Sequence, residues 1–263
     1  MPPFKTESIA EFDQVDRIDC LRVVSVGFRY NSVDGPQTFM EIPLFPLPLV
    51  LFPQVVIPLH IFEERYRLMI NRCIEESAAF GIVLIPPGTS TESESTIRRV
   101  GVTARVIQFD RIEDGRINIM AAGEMRFRIL EFTAARPYWT ASVEFFEDDR
   151  ESDEELQDSY NQVVHIYREI HRLAAQLRGM EFDIEEVKIP VSPATLTHMV
   201  SFVLDIDPEA KQALLEMTSI DGRLKTLTVH LEEAMQRLNA EIAREKISHK
   251  VKGNGHYGKP ENN

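Results

Sequence analysis

Seven histidines, two cysteines and one glycine-rich fingerprint are the residues of this chain from which chemistry could be built. The histidines stand at 60, 165, 171, 198, 230, 249 and 256. A zinc hydrolase needs two histidines on one helical face in a His-Glu-x-x-His pattern; His165 and His171 are six apart and point to different faces. Capping and surface roles therefore suit the histidines better, with His60 placed to cap the helix that follows it. Cys20 and Cys73 cannot make a thiolate zinc site by themselves. Two unpaired thiols in a reducing cytoplasm is the simpler reading. Gly253-x-Gly255-x-x-Gly258 matches the dinucleotide fingerprint, but no strand pattern precedes it and Pro260 interrupts any helix after it. The one Gly-Lys pair, Gly258-Lys259, also runs into Pro260, and no Walker loop or Gly-x-Ser-x-Gly elbow exists. No catalytic residue, metal or cofactor is expected, and the reading is of a protein that is not an enzyme.

The formal charge of -13 is unevenly spread. Residues 40–143 carry 11 Lys/Arg against 12 Asp/Glu, whereas residues 144–248 carry 11 against 23. A strongly acidic half repels phosphate backbones, which makes nucleic acid a poor partner. No apolar run approaches the ~20 residues needed to span a bilayer, and no basic segment leads into an apolar core at the N-terminus. The expected setting is the cytoplasm, without a membrane.

The elements follow from periodicity. Residues 1–39 have no sustained pattern and read as a flexible N-terminal arm, with an edge strand over 21–30 as the alternative. From Ile42 to Leu59 apolar residues alternate with prolines; each proline removes a backbone donor, which predicts edge strands or extended chain. Phe62, Tyr66, Met69, Ile70, Cys73 and Ile74 then recur at helical spacing, predicting one early helix over 62–74. It should plug the open end of a barrel with Tyr66 at the centre of the contact. Strand patterns follow over 80–85, 100–109, 117–121, 125–132 and 138–146, with Asp114-Gly115 as a hairpin turn. An acidic run from Glu144 to Glu155 reads as a solvated linker, and Ser152 and Glu155 have capping-box spacing. Beyond it the pattern is helical. Leu156 to Leu177 form one stripe, Ser192-Pro193 and Asp207-Pro208 open two further helices, and Ile220 to Ile242 form the last stripe. The expected architecture is α+β. A flexible arm over 1–39 precedes a β domain over 40–147, a helical bundle over 148–248 and a disordered tail over 249–263.

Residues 42–146 closely resemble the amino-terminal, substrate-recognition domain of Lon proteases. The resemblance rests on Ile42-Pro43-Leu44-Phe45-Pro46-Leu47, Val50-Leu51-Phe52-Pro53 and Pro58-Leu59-His60-Ile61-Phe62-Glu63-Glu64-Arg65-Tyr66. It continues through Phe80-Gly81, Val100-Gly101, Asp114-Gly115-Arg116 and Gly123-x-x-Arg126-Phe127, and more loosely through Lys211-Gln212-x-Leu214-Leu215-Glu216. It implies a PUA-like β-pseudobarrel followed by an all-α bundle, here as a stand-alone member without ATPase or peptidase domains. The matched residues Pro58, Phe62, Glu63, Arg65, Tyr66, Gly81, Gly101, Gly115, Gly123 and Phe127 read as structural, with Glu63 and Arg65 as a local ion pair. No peptide pocket can be named from them, and the oligomeric state is open.

The function implied is a non-catalytic polypeptide-binding module or adaptor. Its partners would be unfolded or damaged polypeptides, or a protease or chaperone. The alternative is an RNA-binding PUA-like protein using a basic patch of Arg105, Arg116, Arg126 and Arg128, although arginine stems covering the barrel exterior explain these residues more simply. The purified chain should show neither ATP hydrolysis nor casein cleavage. Either activity, persisting through repurification, would sink the non-catalytic reading.

Overall fold

The computed structural model describes residues 40–86, 88, 93–183 and 187–253, with 246–253 given by their backbone alone. The expected arm over 1–39, including Cys20, lies outside the described residues, as does the fingerprint beyond Gly253. The chain forms two compact units that alternate along the sequence. One comprises the described residues up to Arg150 together with Ala194–Ile220; the other comprises Glu151–Pro193 and the chain from Asp221 onward.

The first unit holds six strands: β1 (Met40–Leu47), β2 (Val56–Ile61), β3 (Phe80–Leu84), β4 (Val100–Arg111), β5 (Ile117–Ala134) and β6 (Thr140–Phe145). They run in the order β2-β5-β4-β3-β1-β6, and β6 pairs back onto β5. Five strands thus close into a ring, and β2 is appended. All pairings are antiparallel except β1 with β3. Closure depends on the length of β5. One edge pairs with β4 throughout Ile117–Arg128, while the other serves β2 over Ile117–Ala122 and β6 over Phe127–Ala134. The α+β class and β-barrel expected from the sequence are what the chain forms.

The prolines are accommodated differently from the edge-strand expectation. β2 is an edge strand, but β1 lies between β3 and β6. It divides its pairing, with Met40–Pro43 against β6 and Leu44–Leu47 against β3. Each half has one partner only, so a proline whose missing N–H faces the unpaired side costs no ladder bond.

The barrel interior is organised around Phe127. Ile42, Leu44, Val83, Ile129, Ala141 and Val143 surround it in one buried cluster. Its ring tip lies where side chains at Gly81 and Gly101 would begin: an added Cβ would stand 2.6 Å and 2.8 Å from Phe127 Cζ, and at Gly101 also 2.4 Å from the Ile82 carbonyl oxygen. Both glycines are therefore required by close approach, not by backbone angle.

Helix α1 spans Glu64–Glu76 and buries Tyr66, Met69, Ile70 and Cys73. It begins two residues later than its periodicity predicts. Glu63 is extended and occupies the cap position, so Phe62 precedes the helix and is 62% exposed, facing His60 at 6.2 Å between rings. Tyr66 is only 3% exposed and packs on Phe45 with ring centroids 4.3 Å apart. The Arg65 guanidinium lies over the Tyr66 ring and donates to Glu63 at 2.7 Å. Ser77 in the left-handed conformation ends the helix.

Helices α3 (Pro193–Val203) and α4 (Pro208–Glu216) belong with the strands, although the sequence assigned them to the helical half. The reason is specific bonding. Gln212 Nε2 donates to the Val100 carbonyl at 3.0 Å, Arg98 pairs with Glu209 at 2.7 Å, and Thr195 bonds Gln54 at 3.1 Å. His198, expected on the surface, is buried on α3 beside Phe52.

The second unit holds α2 (Asp153–Arg178) and most of α5 (Ile220–Gly253). Ser152 and Glu155 form the capping box, and Gly179 at φ 66° closes α2. Leu156, Val163 and Tyr167 are buried along α2, and Leu224, Leu227 and Leu231 along α5, as the two stripes require. Ser159 donates to Asp221 at 2.7 Å. α5 continues through Gly253, so the first residues of the expected tail are helical. Extending an existing helix adds a hydrogen bond per residue without a new nucleus.

Gly101→Ala should destabilise the barrel by at least ~1–3 kcal/mol, because the Ile82 carbonyl cannot retreat without breaking the ladder. Tyr66→Ala should cost ~3–5 kcal/mol while the second unit keeps its helicity. Urea titration followed by Trp139, the single tryptophan, packed edge-on against Phe132, reads barrel unfolding directly. Wild-type midpoints for both variants would show these contacts to be unimportant.

Candidate functional site

The strand-bearing unit opens a cavity of about 440 Å³ where β1 and β3 part company. The parallel ladder between them begins at Leu44 and Gly81, so Met40–Pro43 face Ala78 and Ala79 across a gap. Met69 and Cys73 of α1 line one side, and Thr103 and Met125 of the β4–β5 pair line another. Tyr138 and Phe145 add aromatic surface. Met69 is fully buried behind this wall, and Met40 and Met125 are the methionines with accessible surface, soft and rotatable thioethers that can adjust their packing.

Four of the five charged residues lining the cavity pair with one another, and the fifth, Glu41, is exposed. Arg72 pairs with Glu76 at 2.9 Å, one helical turn apart, and Arg105 pairs with Glu124 at 2.7 Å. Thr103 Oγ1 donates to the Met125 carbonyl and accepts from the Met125 amide. Burial, with a smaller contribution from Glu76, pushes the Cys73 thiol up to about 11. At neutral pH it is an uncharged apolar group and no nucleophile. Among the described residues no group of three or more His, Cys, Asp or Glu could hold a metal ion.

The four arginines proposed as a basic patch do not converge. Arg116 sits beside the β4–β5 turn, paired with Asp114 at 2.5 Å and 3.4 Å from His60 Nε2. Arg126 lies ten residues further along β5, roughly 30 Å of strand away. Arg105 is held by Glu124 and by the Ser77 carbonyl. Arg126 is only 4% exposed. It donates to the carbonyls of Leu215 at 3.0 Å and Met217 at 2.6 Å, pairs with Asp148, and lies over the Phe146 ring. Of the four only Arg126 and Arg128 come together, both against the Phe146 ring, and of the two only Arg128 is exposed. The acidic run is correspondingly less solvated than expected, since Asp148 holds Arg126 and Asp149 accepts from Thr218 at 2.9 Å.

The matched residues divide by task. Gly81, Gly101 and Phe127 build the barrel interior, while an added Cβ at Gly123 would meet the Phe52 carbonyl at 2.4 Å. Gly115, at φ 81°, makes the turn against which Arg67 lies. Pro58 is exposed on the edge strand β2. His60 bonds Asn118 across strands at 2.6 Å and does not cap α1, whose cap residue is Glu63. None of these lines the cavity, and the methionines that do were legible only as helix or strand apolars.

Comparisons with known proteins follow the same outline. Residues 41–233 match the family described as the ATP-dependent protease La (LON) substrate-binding domain. A Lon protease of Dictyoglomus thermophilum is 25% identical over 212 residues, covering 80% of this chain and 26% of that protein. Lon protease 2 of Herpetosiphon aurantiacus is 28% identical over 209 residues, covering 78% and 25%. The chain thus spans about a quarter of the length of these relatives. Among solved structures, a Lon N-terminal domain protein from Xanthomonas campestris aligns with a TM-score of 0.55 and 22% identity, covering 72% of this chain and 98% of that one. The N-terminal domain of a Mycobacterium avium complex Lon protease aligns at 0.53 with 18% identity, covering 73% and 98%. Both show the fold alone.

The Cys73 thiol gives a pH test of the cavity wall. A folded-state value raised from 9.0 to about 11 means the folded chain keeps a proton that the unfolded chain releases. Its contribution to stability is complete below pH 9 and is lost as pH rises toward 11. The stability difference between wild type and Cys73→Ala, from urea midpoints, should shrink across that window. A difference independent of pH would mean the thiol is solvated.

Proposed function

The chain belongs to the family of ATP-dependent protease La (LON) substrate-binding domains, and we propose that it is a non-catalytic module that recognises unfolded or damaged polypeptides. The observation that carries this reading is the family match over 41–233, which takes in every strand of the barrel unit beyond Met40 and both helices bonded to it. The chemistry of the unit fits. It offers a cavity whose lining mixes three methionines and aromatic rings with charged residues, while most of the arginines an RNA ligand would need are engaged by this chain's own carboxylates and carbonyls. Counterion release from phosphate requires free cations, so the RNA-binding alternative is the weaker reading.

In this role the module holds a substrate for a protease or chaperone and performs no bond cleavage itself. No helix among the described residues is long and apolar enough to cross a membrane. The cytoplasm, where unfolded chains meet proteases, is the compartment this reading proposes.

Fluorescence anisotropy decides between the two classes of ligand. A reduced, carboxymethylated, permanently unfolded protein should bind, and its native, disulfide-bonded form should not. Binding should persist at high salt, because apolar burial is not screened. Tighter binding of a single-stranded RNA, weakening steeply with salt, would transfer the chain to the RNA-binding class.

A further inference from the structure

We infer that the cavity between β1 and β3 is a docking site for the chain's own segment 20–30, which lies outside the described residues. That segment is then a built-in occupant, which any other ligand must displace. The inference goes beyond the polypeptide-binding reading and does not depend on it. Three observations converge: an open strand edge, an uncompensated charge and a short tether.

The edge belongs to β1. Residues 40–43 pair with β6 on one side, whereas on the other the ladder to β3 starts only at Leu44. The polar groups of successive strand residues point to alternate sides. Leu44 donates to the Trp139 carbonyl on the β6 side, and the Leu47 carbonyl accepts from Ile85 on the β3 side. Counting back, the N–H and C=O of Glu41 and the C=O of Pro43 face the open side, where Pro43 has no N–H to leave unpaired. An extended segment laid along this edge can bond to them by strand addition.

Charge selects the segment. Arg72 and Arg105 on the rim are paired with Glu76 and Glu124. Glu41 is exposed and pairs with no cation among the described residues, so the cavity lining carries one excess negative charge. Residues 20–30 hold two cations, Arg22 and Arg29, and no acid, whereas the rest of 1–39 holds two cations against six acids. Between the arginines lie Val23, Val24, Val26 and Phe28, types that suit a strand. A cavity of about 440 Å³ has room for such side chains while an arginine reaches Glu41. The tether is residues 31–39, which join the segment to Met40 at the cavity's mouth. Nine residues span up to ~30 Å when extended. Linkage this short gives an effective concentration on the order of millimolar, so weak docking suffices to fill the site.

Photo-crosslinking in the full chain tests the assignment. Benzoylphenylalanine in place of Phe28 should attach to Met40, Met125 or Tyr138 of the same molecule. Attachment confined to other places overturns the inference. Attachment between isotope-labelled and unlabelled molecules would give the cavity to a second copy and overturn it equally. Glu41→Arg should cut attachment about threefold, and adding Arg22→Glu and Arg29→Glu should restore it. A labelled peptide of residues 21–30 supplies a second test by anisotropy. It should bind a full chain carrying Val24→Asp and Val26→Asp at least about tenfold more tightly than wild type, whose own segment competes. Equal binding to the two, or binding to neither, would leave the cavity open to an external chain and sink the inference. Should the double variant lose the Trp139 signature of a folded barrel, the crosslinking result decides.

Discussion

Phe127 cannot occupy the barrel unless β4 beside it and β3 beyond carry glycine where its ring tip reaches. Its ring reaches Gly81 on β3 and Gly101 on β4, and either residue with a Cβ would collide with it. Gly101 is also the register partner of Phe127 on β5, and Val83 is the register partner of Gly101 on β3. One aromatic ring and two bare backbones thus fix the relative positions of three adjacent strands. Slipping β5 by one residue would turn the ring outward and an arginine inward, and slipping β3 or β4 would put a bulky neighbour such as Ile82 or Val102 where the glycines leave room. Interiors packed to crystal density leave no slack for such a shift.

The remaining geometry of the strand-bearing unit follows from that register. Once β5 is set against β4, its other edge is presented to β2 near Ile117 and to β6 beyond Phe127. β6 then carries the first half of β1, while β3 carries the second. The two halves diverge, and the gap between β1 and the end of α1 is the cavity. Arg126, next to Phe127, points the opposite way along the strand alternation and draws Asp148, Leu215 and Met217 onto the barrel exterior. Adjacent residues of one strand therefore organise the inside and the outside of the unit.

Much of this was legible in the sequence because it is local. Three- and four-residue spacing located α1, α2 and α5, and Ser152-x-x-Glu155 and Asp207-Pro208 marked helix starts that the side-chain caps realise. Phe62 misled because periodicity does not reveal where φ and ψ leave the helical region; Glu63 is extended, so the stripe loses its first member. The prolines misled about β1 because partner-sharing between two strands leaves no local signal. Arg126 and Arg128 looked equivalent by alternation, yet one is buried by residues some ninety positions away. The cavity was invisible for the same reason: its wall comes from β1, α1, β4, β5 and β6, and each contributes residues that read locally as ordinary apolar positions.

The return of residues 194–220 to the barrel has a consequence for synthesis. The chain leaves the strand-bearing unit at Arg150, comes back at Ala194 and leaves again after Ile220. A ribosome delivers residues in order, so all six strands emerge while the partners of Val100, Arg98, Gln54 and the Arg126 guanidinium are still unmade. Until Met217 has cleared the exit tunnel, the nascent barrel carries a buried-type arginine with two of its acceptors missing. Vectorial completion thus makes α4 a timing element: the barrel reaches its final stability only after the whole of α2 and α3 has been translated.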